Sequence, residues 1–133
     1  MSVAEQSHMV PICRPDDVVR ARRKAGELAA LLGFDKADQT RLATAVAELA
    51  RNVVEYAGLG HCEIVDDSDH YCNSVRVVVE DHGPGIADLA LAMTDANGGR
   101  GCGLPGTRRL VDSFHIVSGP GLTRVTISLT GRR

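Results

Sequence analysis

The chain has 133 residues, a formal net charge of -2, 44% apolar residues and 24% charged residues. These values are typical of an ordinary globular protein, and we expect a single domain over residues 1–133. The slightly acidic charge argues against a nucleic-acid partner. No apolar segment approaches the about 18 residues that span a membrane, no leader pattern is present, and the four cysteines lack paired spacing. We therefore expect a cytoplasmic protein with no membrane partner.

The predicted elements begin with a short apolar segment at 10–12. Apolar residues at helical spacing predict a first helix that is capped by Asp16 and ends at Gly33, and a second from Asp38 to Tyr56. The later elements are strands at 62–65 and 74–80, helices at 88–93 and 104–111, and strands at 114–117 and 124–129. This order predicts an α+β fold, a two-layer sandwich with helices on one face of a mixed or antiparallel sheet.

Glu48 and Asn52 lie four residues apart on the second predicted helix, so they project from one side, beside its apolar stripe. A carboxylate there can accept the proton of an attacking hydroxyl group, and an amide oxygen one turn away can bind magnesium. A solvated helix face, with Glu48 near Arg51 or Asn52, explains the same spacing.

Two glycine-containing segments follow. The first runs from Asp81 to Ile86 after a valine-rich strand; its acidic side chain and bare backbone suit a flat polar ligand such as adenine, although a tight turn is the alternative. The second runs from Gly98 to Gly106 into a helix, whose N-terminal amides can hold a phosphate. It lacks the context of a dinucleotide-binding fold, and the chain has no P-loop motif, so it predicts a glycine-rich lid.

The segments ELARNVVEYA, EDHGPGI and GRGCGLPGTRRLVD, in this order, resemble the N, G1 and G2 boxes of the GHKL superfamily. Within it the chain is most similar to the RsbT-type serine/threonine switch kinases of the anti-sigma regulatory factor family, and the resemblance covers nearly the whole chain. It implies a Bergerat ATP-binding fold, ATP and Mg²⁺ as cofactors, and phosphorylation of a STAS-domain antagonist in a bacterial partner-switching or stressosome pathway. An output protein, such as a PP2C-type phosphatase, would then be bound.

The resemblance also implies a role for each matching residue. Glu48 would be the general base, Asn52 the magnesium ligand, and Asp81 the acceptor for the adenine amino group. The other implied nucleotide-binding residues are Gly83, Gly85, Ile86, Gly101, Gly103, Leu104 and Thr123. Leu122 stands where the family usually has a glycine before this threonine.

A second hypothesis comes from the segment between Ile86 and Gly101. It is shorter than in RsbT-type relatives and lacks their phenylalanine and their serine/threonine run. This favours a nucleotide-binding adaptor, or an anti-sigma factor that sequesters a sigma factor, with little or no kinase activity. The presence of Glu48 favours the kinase. Glu55 stands where histidine kinases usually carry a basic residue, which argues against a sensor kinase.

Overall fold

The structure, a computed structural model, describes residues 7–94 and 103–131. Its helices and strands alternate in blocks along the chain, as the sequence predicts. The elements are β1 (Ser7–Ile12), α1 (Pro15–Leu31), α2 (Lys36–Asn52), a π-helical turn (Val53–Ala57), β2 (Gly60–Asp66), β3 (Ser74–Asp81), α3 (Leu89–Ala92), α4 (Leu104–Leu110), β4 (Ser113–Gly119) and β5 (Leu122–Thr130). The predicted α+β class is confirmed.

The five strands form one sheet in the order β1-β2-β3-β5-β4. Every pairing in it is antiparallel, so the antiparallel form of the prediction is correct and the mixed form is not. Strands β2 and β3 form a hairpin, and β4 and β5 form another around Pro120 and Gly121. The turn of the first hairpin lies at one end of the sheet. The turn of the second lies at the opposite end, beside the last residue of β3.

The two faces of the sheet differ because side chains alternate along each strand. On β3, Val75, Val77 and Val79 are at most 3% exposed, whereas Arg76 is exposed and Val78 is half-buried. The buried face packs with apolar residues of α1 and α2 in one core cluster. Removal of this apolar surface from water is the main force that holds the helices on the sheet.

The first helix starts earlier than the sequence predicts, and Asp16 is not its cap. Pro15 occupies the first turn, where its fixed backbone angle suits a helix start and its missing N–H is not needed. Asp17 caps the helix from inside: its Oδ2 accepts hydrogen bonds from the backbone N–H groups of Cys13 and Arg14, both at 3.0 Å.

The second helix also starts earlier, because Asp35 is its N-cap and accepts a hydrogen bond from the N–H of Asp38 at 2.8 Å. Its α-helical part ends at Asn52, and the predicted continuation to Tyr56 is a π-helical turn that closes at Gly58 with a φ of 84°. This wider turn changes the direction of the residues that follow Asn52.

The capping carboxylate predicts an acid-sensitive helix start. The N–H groups of Cys13 and Arg14, and then Arg20, lower the pKa of Asp17 from 3.8 to about 2. A lowered pKa means that the stabilisation is complete above about pH 4 and is lost as the pH falls through about 2. We expect Asp17→Asn to lower the thermal unfolding midpoint at pH 7 by roughly 2 to 5 °C, because the amide oxygen can still accept both hydrogen bonds but lacks the charge that strengthens them at a helix start.

The difference in midpoint between wild type and Asp17→Asn should shrink between pH 4 and pH 2 in thermal scans followed by circular dichroism. Asp16→Asn is the matched control, because Asp16 is exposed in the same helical turn. A constant difference across this pH range would contradict the assignment of the cap to Asp17.

None of the helices in the described ranges is both long enough and apolar enough to cross a membrane.

Candidate functional site

A cavity of about 290 Å³ opens between the C-terminal part of α2 and the adjoining ends of β3 and β5. Its lining is formed by Leu49, Asn52, Val53, Tyr56, Ala57, Val79, Asp81, Pro84, Gly85, Ile86, Ala92, Leu104, Ile116, Thr123 and Val125. Most of these side chains are apolar, and the polar ones include Asn52, Asp81 and Thr123. Apolar walls with a few polar groups are typical of a small-molecule site.

Asp81, the last residue of β3, provides an acceptor at one end of the cavity. Its Oδ1 accepts a hydrogen bond from the backbone N–H of Gly83 at 2.9 Å. Its Oδ2 has no hydrogen-bond partner in the part of the chain that is described. Thr123 lies directly opposite on β5 and is 9% exposed. Cross-strand neighbours on one face are close enough to act on the same ligand group.

Glycine at position 83 is required by packing. A side chain there would collide with Ala57 in the π-helical turn. The bare backbone at Gly83 therefore lets the loop after β3 lie close to the π-helical turn that follows α2.

Glu48 lies near this cavity but is not one of the residues that line it. Its side chain is 34% exposed, and its Oε1 is 2.5 Å from Nη1 of Arg51. Gly103, with a φ of 73°, lies against Oε2 so closely that a Cβ at this position would collide with it. The carboxylate thus lies between an arginine and the residue that precedes α4.

Asn52 and Leu104 form the opposite part of the lining, where α2 approaches α4. Asn52 is half-buried at the last α-helical position of its helix, and Leu104 is only 1% exposed. Of the remaining predicted site residues, Gly101 lies outside the described residues, as does most of the predicted lid.

The turn between β4 and β5 packs against the loop after β3 at the Asp81 end of the site, a contact that no sequence motif predicted. Gly85, with a φ of 84°, lies so close to the backbone of Gly119 that no side chain fits between them. The backbone N–H of Ile86 donates to Oγ of Ser118 at 2.8 Å, and this Oγ is 2.7 Å from Oγ1 of Thr123. Ser118 therefore contacts two predicted site residues from different parts of the chain.

The outer face of the sheet behind Asp81 carries a separate charge pair. Arg124 Nε donates to Oε2 of Glu80 at 3.0 Å. This hydrogen bond is the main cause of the lowered pKa of Glu80, and the charges of Arg124, His61 and His82 act in the same direction. The charge of Glu80 is thus balanced on the outer face, whereas Asp81 lines the cavity on the other face.

Residues 13–129 match the family model described as the histidine kinase-like ATPase domain. The chain belongs to this family. It is also 43% identical, over 108 residues, to the serine/threonine-protein kinase RsbT of Bacillus subtilis (strain 168); the match covers 79% of this chain and 81% of RsbT. The predicted GHKL-type family and serine/threonine kinase class are confirmed by these similarities. ATP is the nucleotide that a domain of this ATPase family uses.

The fold has a solved counterpart in the structure of the RsbU and RsbW domains of a Mycobacterium tuberculosis protein. The TM-score is 0.69 at 20% identity, and the match covers 96% of this chain but only 33% of that longer one. At this identity the similarity concerns the fold of the histidine kinase-like ATPase domain alone.

Proposed function

We propose that this protein transfers the γ-phosphoryl group of ATP to a serine or threonine hydroxyl on a partner protein. The observation that carries the proposal is the position of Asn52, Asp81, Ile86, Leu104 and Thr123 around one cavity, in a chain of the histidine kinase-like ATPase family. These residues come from four separate segments, and the GHKL resemblance assigned all of them to nucleotide binding.

The cavity fits the base of ATP at its Asp81 end. The adenine ring is flat and mostly apolar, and the walls near Asp81 are Val79, Ile116 and Val125. The free Oδ2 of Asp81 can accept a hydrogen bond from the amino group of adenine. Bound here, the ring would be removed from water on both faces while its amino group stays hydrogen-bonded.

The phosphates would extend toward Asn52 and α4. The side-chain oxygen of Asn52 is a suitable ligand for Mg²⁺, a hard cation that prefers oxygen donors and keeps several waters. Bound Mg²⁺ supplies positive charge that stabilises the transferring phosphoryl group. Gly101, Gly103 and Leu104 would lie along the phosphates, and the bare backbone of Gly103 leaves the Glu48 carboxylate accessible beside them.

Glu48 would then serve as the base for the transfer. The hydroxyl oxygen of the partner forms a bond to the γ-phosphorus, and the bond between this phosphorus and the β–γ bridging oxygen breaks. The hydroxyl proton passes to the Glu48 carboxylate, and ADP leaves. Arg51 holds this carboxylate on the side of α2 that approaches Gly103.

The proposed substrate is a STAS-domain antagonist of a bacterial partner-switching or stressosome pathway. The similarity to RsbT supports this proposal. Phosphorylation adds close to two negative charges at an interface that fits a neutral hydroxyl, so it would release the antagonist. The freed kinase would next bind an output protein such as a PP2C-type phosphatase.

A transfer assay with γ-labelled ATP, Mg²⁺ and the STAS-domain protein from the same genome tests the proposal. We expect label on the STAS protein that survives acid, because phosphate esters of serine and threonine are acid-stable and phosphohistidine is not. Chelation of Mg²⁺ should remove the signal. Acid-labile label, or no transfer, would contradict the proposed kinase activity.

The second candidate is an adaptor or anti-sigma factor that binds ATP and sequesters its partner, for example a sigma factor, without transfer. The observation in its favour is that Glu48 is paired with Arg51 and does not line the cavity in the described part of the chain. Tight ATP binding with no transfer to any copurifying partner would support this candidate.

A further inference from the structure

The turn between β4 and β5 packs directly against the loop that follows Asp81. Gly85 and Gly119 touch through their backbones. One residue away on each segment, the N–H of Ile86 donates to Oγ of Ser118. Ser118 also pairs with Thr123 across the hairpin, and Thr123 in turn pairs with Asp81 across β5 and β3. The Ser118 hydroxyl therefore connects the loop that follows Asp81 to Thr123, the threonine opposite Asp81.

The direction of these hydrogen bonds follows from the available protons. A backbone N–H can only donate, so Ser118 Oγ is the acceptor for Ile86. The 2.7 Å contact between Ser118 Oγ and Thr123 Oγ1 uses the proton of one hydroxyl or the other. In the described part of the chain, Ser118 has no other acceptor within hydrogen-bond distance. Thr123 has no other acceptor among the described residues either, so in the free protein either hydroxyl can be the donor. Once a ligand in the cavity offers an acceptor to Thr123, both hydroxyls can donate only if Ser118 donates to Thr123.

This direction leaves the proton of Thr123 for a different acceptor. Its cross-strand neighbour Asp81 carries the unpaired Oδ2, and both residues line the cavity. The end of the cavity thus holds an acceptor at Asp81 and a donor at Thr123. Adenine presents an amino donor beside a ring-nitrogen acceptor, whereas guanine presents an oxygen acceptor beside an N–H donor. The Asp81 acceptor and the Thr123 donor therefore complement the edge of adenine, directly or through one water.

We infer that Ser118 is a positioning residue for base recognition: its hydroxyl holds the Ile86 N–H and orients the Thr123 hydroxyl as a donor toward the edge of the base. The inference rests on the proposed function, because it assumes that the cavity binds ATP with its base at Asp81. Ser118 contacts Thr123 and the loop, and it acts on the nucleotide through them.

The affinities of ATP and GTP for the purified full chain test this role. Isothermal titration calorimetry measures the affinity for ATP, and displacement of bound ATP by GTP measures the affinity for GTP. In Ser118→Ala, we expect an ATP affinity about tenfold lower, because one hydrogen bond is lost and the Ile86 N–H loses its partner. The preference for ATP over GTP should fall by a similar factor, since Thr123 becomes free to rotate. Ser118→Thr keeps the hydroxyl and should restore both values.

Ser74→Ala is the matched control. Ser74 and Thr130 form a similar serine and threonine contact, at 3.4 Å, between β3 and β5 at the opposite end of the sheet. A merely structural loss should lower the thermal stability of both alanine variants. Only Ser118→Ala should change the ATP affinity and the ratio of ATP to GTP.

The inference is overturned if Ser118→Ala binds ATP and GTP as Ser74→Ala does, or if Ser118→Thr is as impaired as the alanine variant. Asp81→Asn in the same series separates this failure from that of the proposed function. If Asp81→Asn reduces the ATP affinity and Ser118→Ala leaves it unchanged, only the role of Ser118 is contradicted and the proposed nucleotide site stands. If Asp81→Asn leaves the ATP affinity unchanged, the adenine ring does not bind at Asp81, and the inference about Ser118 fails with that assignment.

Discussion

Glu48→Gln is expected to slow phosphoryl transfer by at least about 100-fold while ATP still binds. The glutamine has nearly the same shape, but it cannot accept the hydroxyl proton at neutral pH. Loss of a general base reduces the rate by about 10²- to 10⁴-fold. Glu48 is not among the described residues that line the cavity, so its replacement removes no direct contact with the adenine ring. ATP affinity should therefore stay within about threefold of wild type. Single-turnover transfer of labelled phosphate and calorimetric titration measure the two effects.

Two control variants distinguish loss of the Glu48 carboxylate from a general change of charge near it. Glu55→Gln removes an exposed carboxylate from the adjacent π-helical turn and should leave the rate unchanged. Arg51→Gln removes the ion-pair partner of Glu48 but keeps the carboxylate, so it should retain most of the transfer. Transfer by Glu48→Gln at the rate of Glu55→Gln would exclude Glu48 as the base and would favour the adaptor.

Asp81→Asn should weaken ATP binding by roughly 30- to 100-fold, since a hydrogen bond to a charged group is lost and an amide donor faces the amino group of adenine. The fold should survive, because the asparagine oxygen can still accept the hydrogen bond of Gly83. Calorimetric titration with ATP measures the loss, and a thermal scan checks the fold.

Glu80→Gln is the control for this variant. Glu80 is the preceding residue, and it faces the outer side of the sheet in a pair with Arg124. Glu80→Gln changes the net charge by the same amount as Asp81→Asn but leaves the cavity intact. The ATP affinity of Glu80→Gln should therefore remain close to that of wild type. Equal affinities for Asp81→Asn and Glu80→Gln would show that the base does not bind at Asp81.

Much of the fold was predictable because its elements follow local patterns. The valines of β3 and the apolar stripe of α2 identify both elements from their spacing alone. The helix starts were less predictable. Asp16, Asp17, Asp35 and Asp38 all have the chemistry of a cap, and only the position of Pro15 and the reach of each carboxylate decide between them.

The candidate site was predictable where its residues belong to sequence motifs. Asn52 and Asp81 were identified through the resemblance, and the structure brings them to one cavity. Ser118 was missed because its role depends on the register of two hairpins and on the loop after β3, which no local pattern reveals. The π-helical turn was missed for a similar reason, since its sequence continues the apolar spacing of the helix.

The antiparallel sheet places its two hairpin turns at opposite ends, and this has an evolutionary consequence. An inserted residue between Ser118 and Thr123 would shift one strand against the other, and a shift of one position moves Thr123 to the opposite face. The polar turn from Asp67 to Asn73 lies at the other end, far from the cavity. Natural variation in chain length among relatives should therefore concentrate in the turn between β2 and β3, while the turn at Pro120 and Gly121 keeps a constant length.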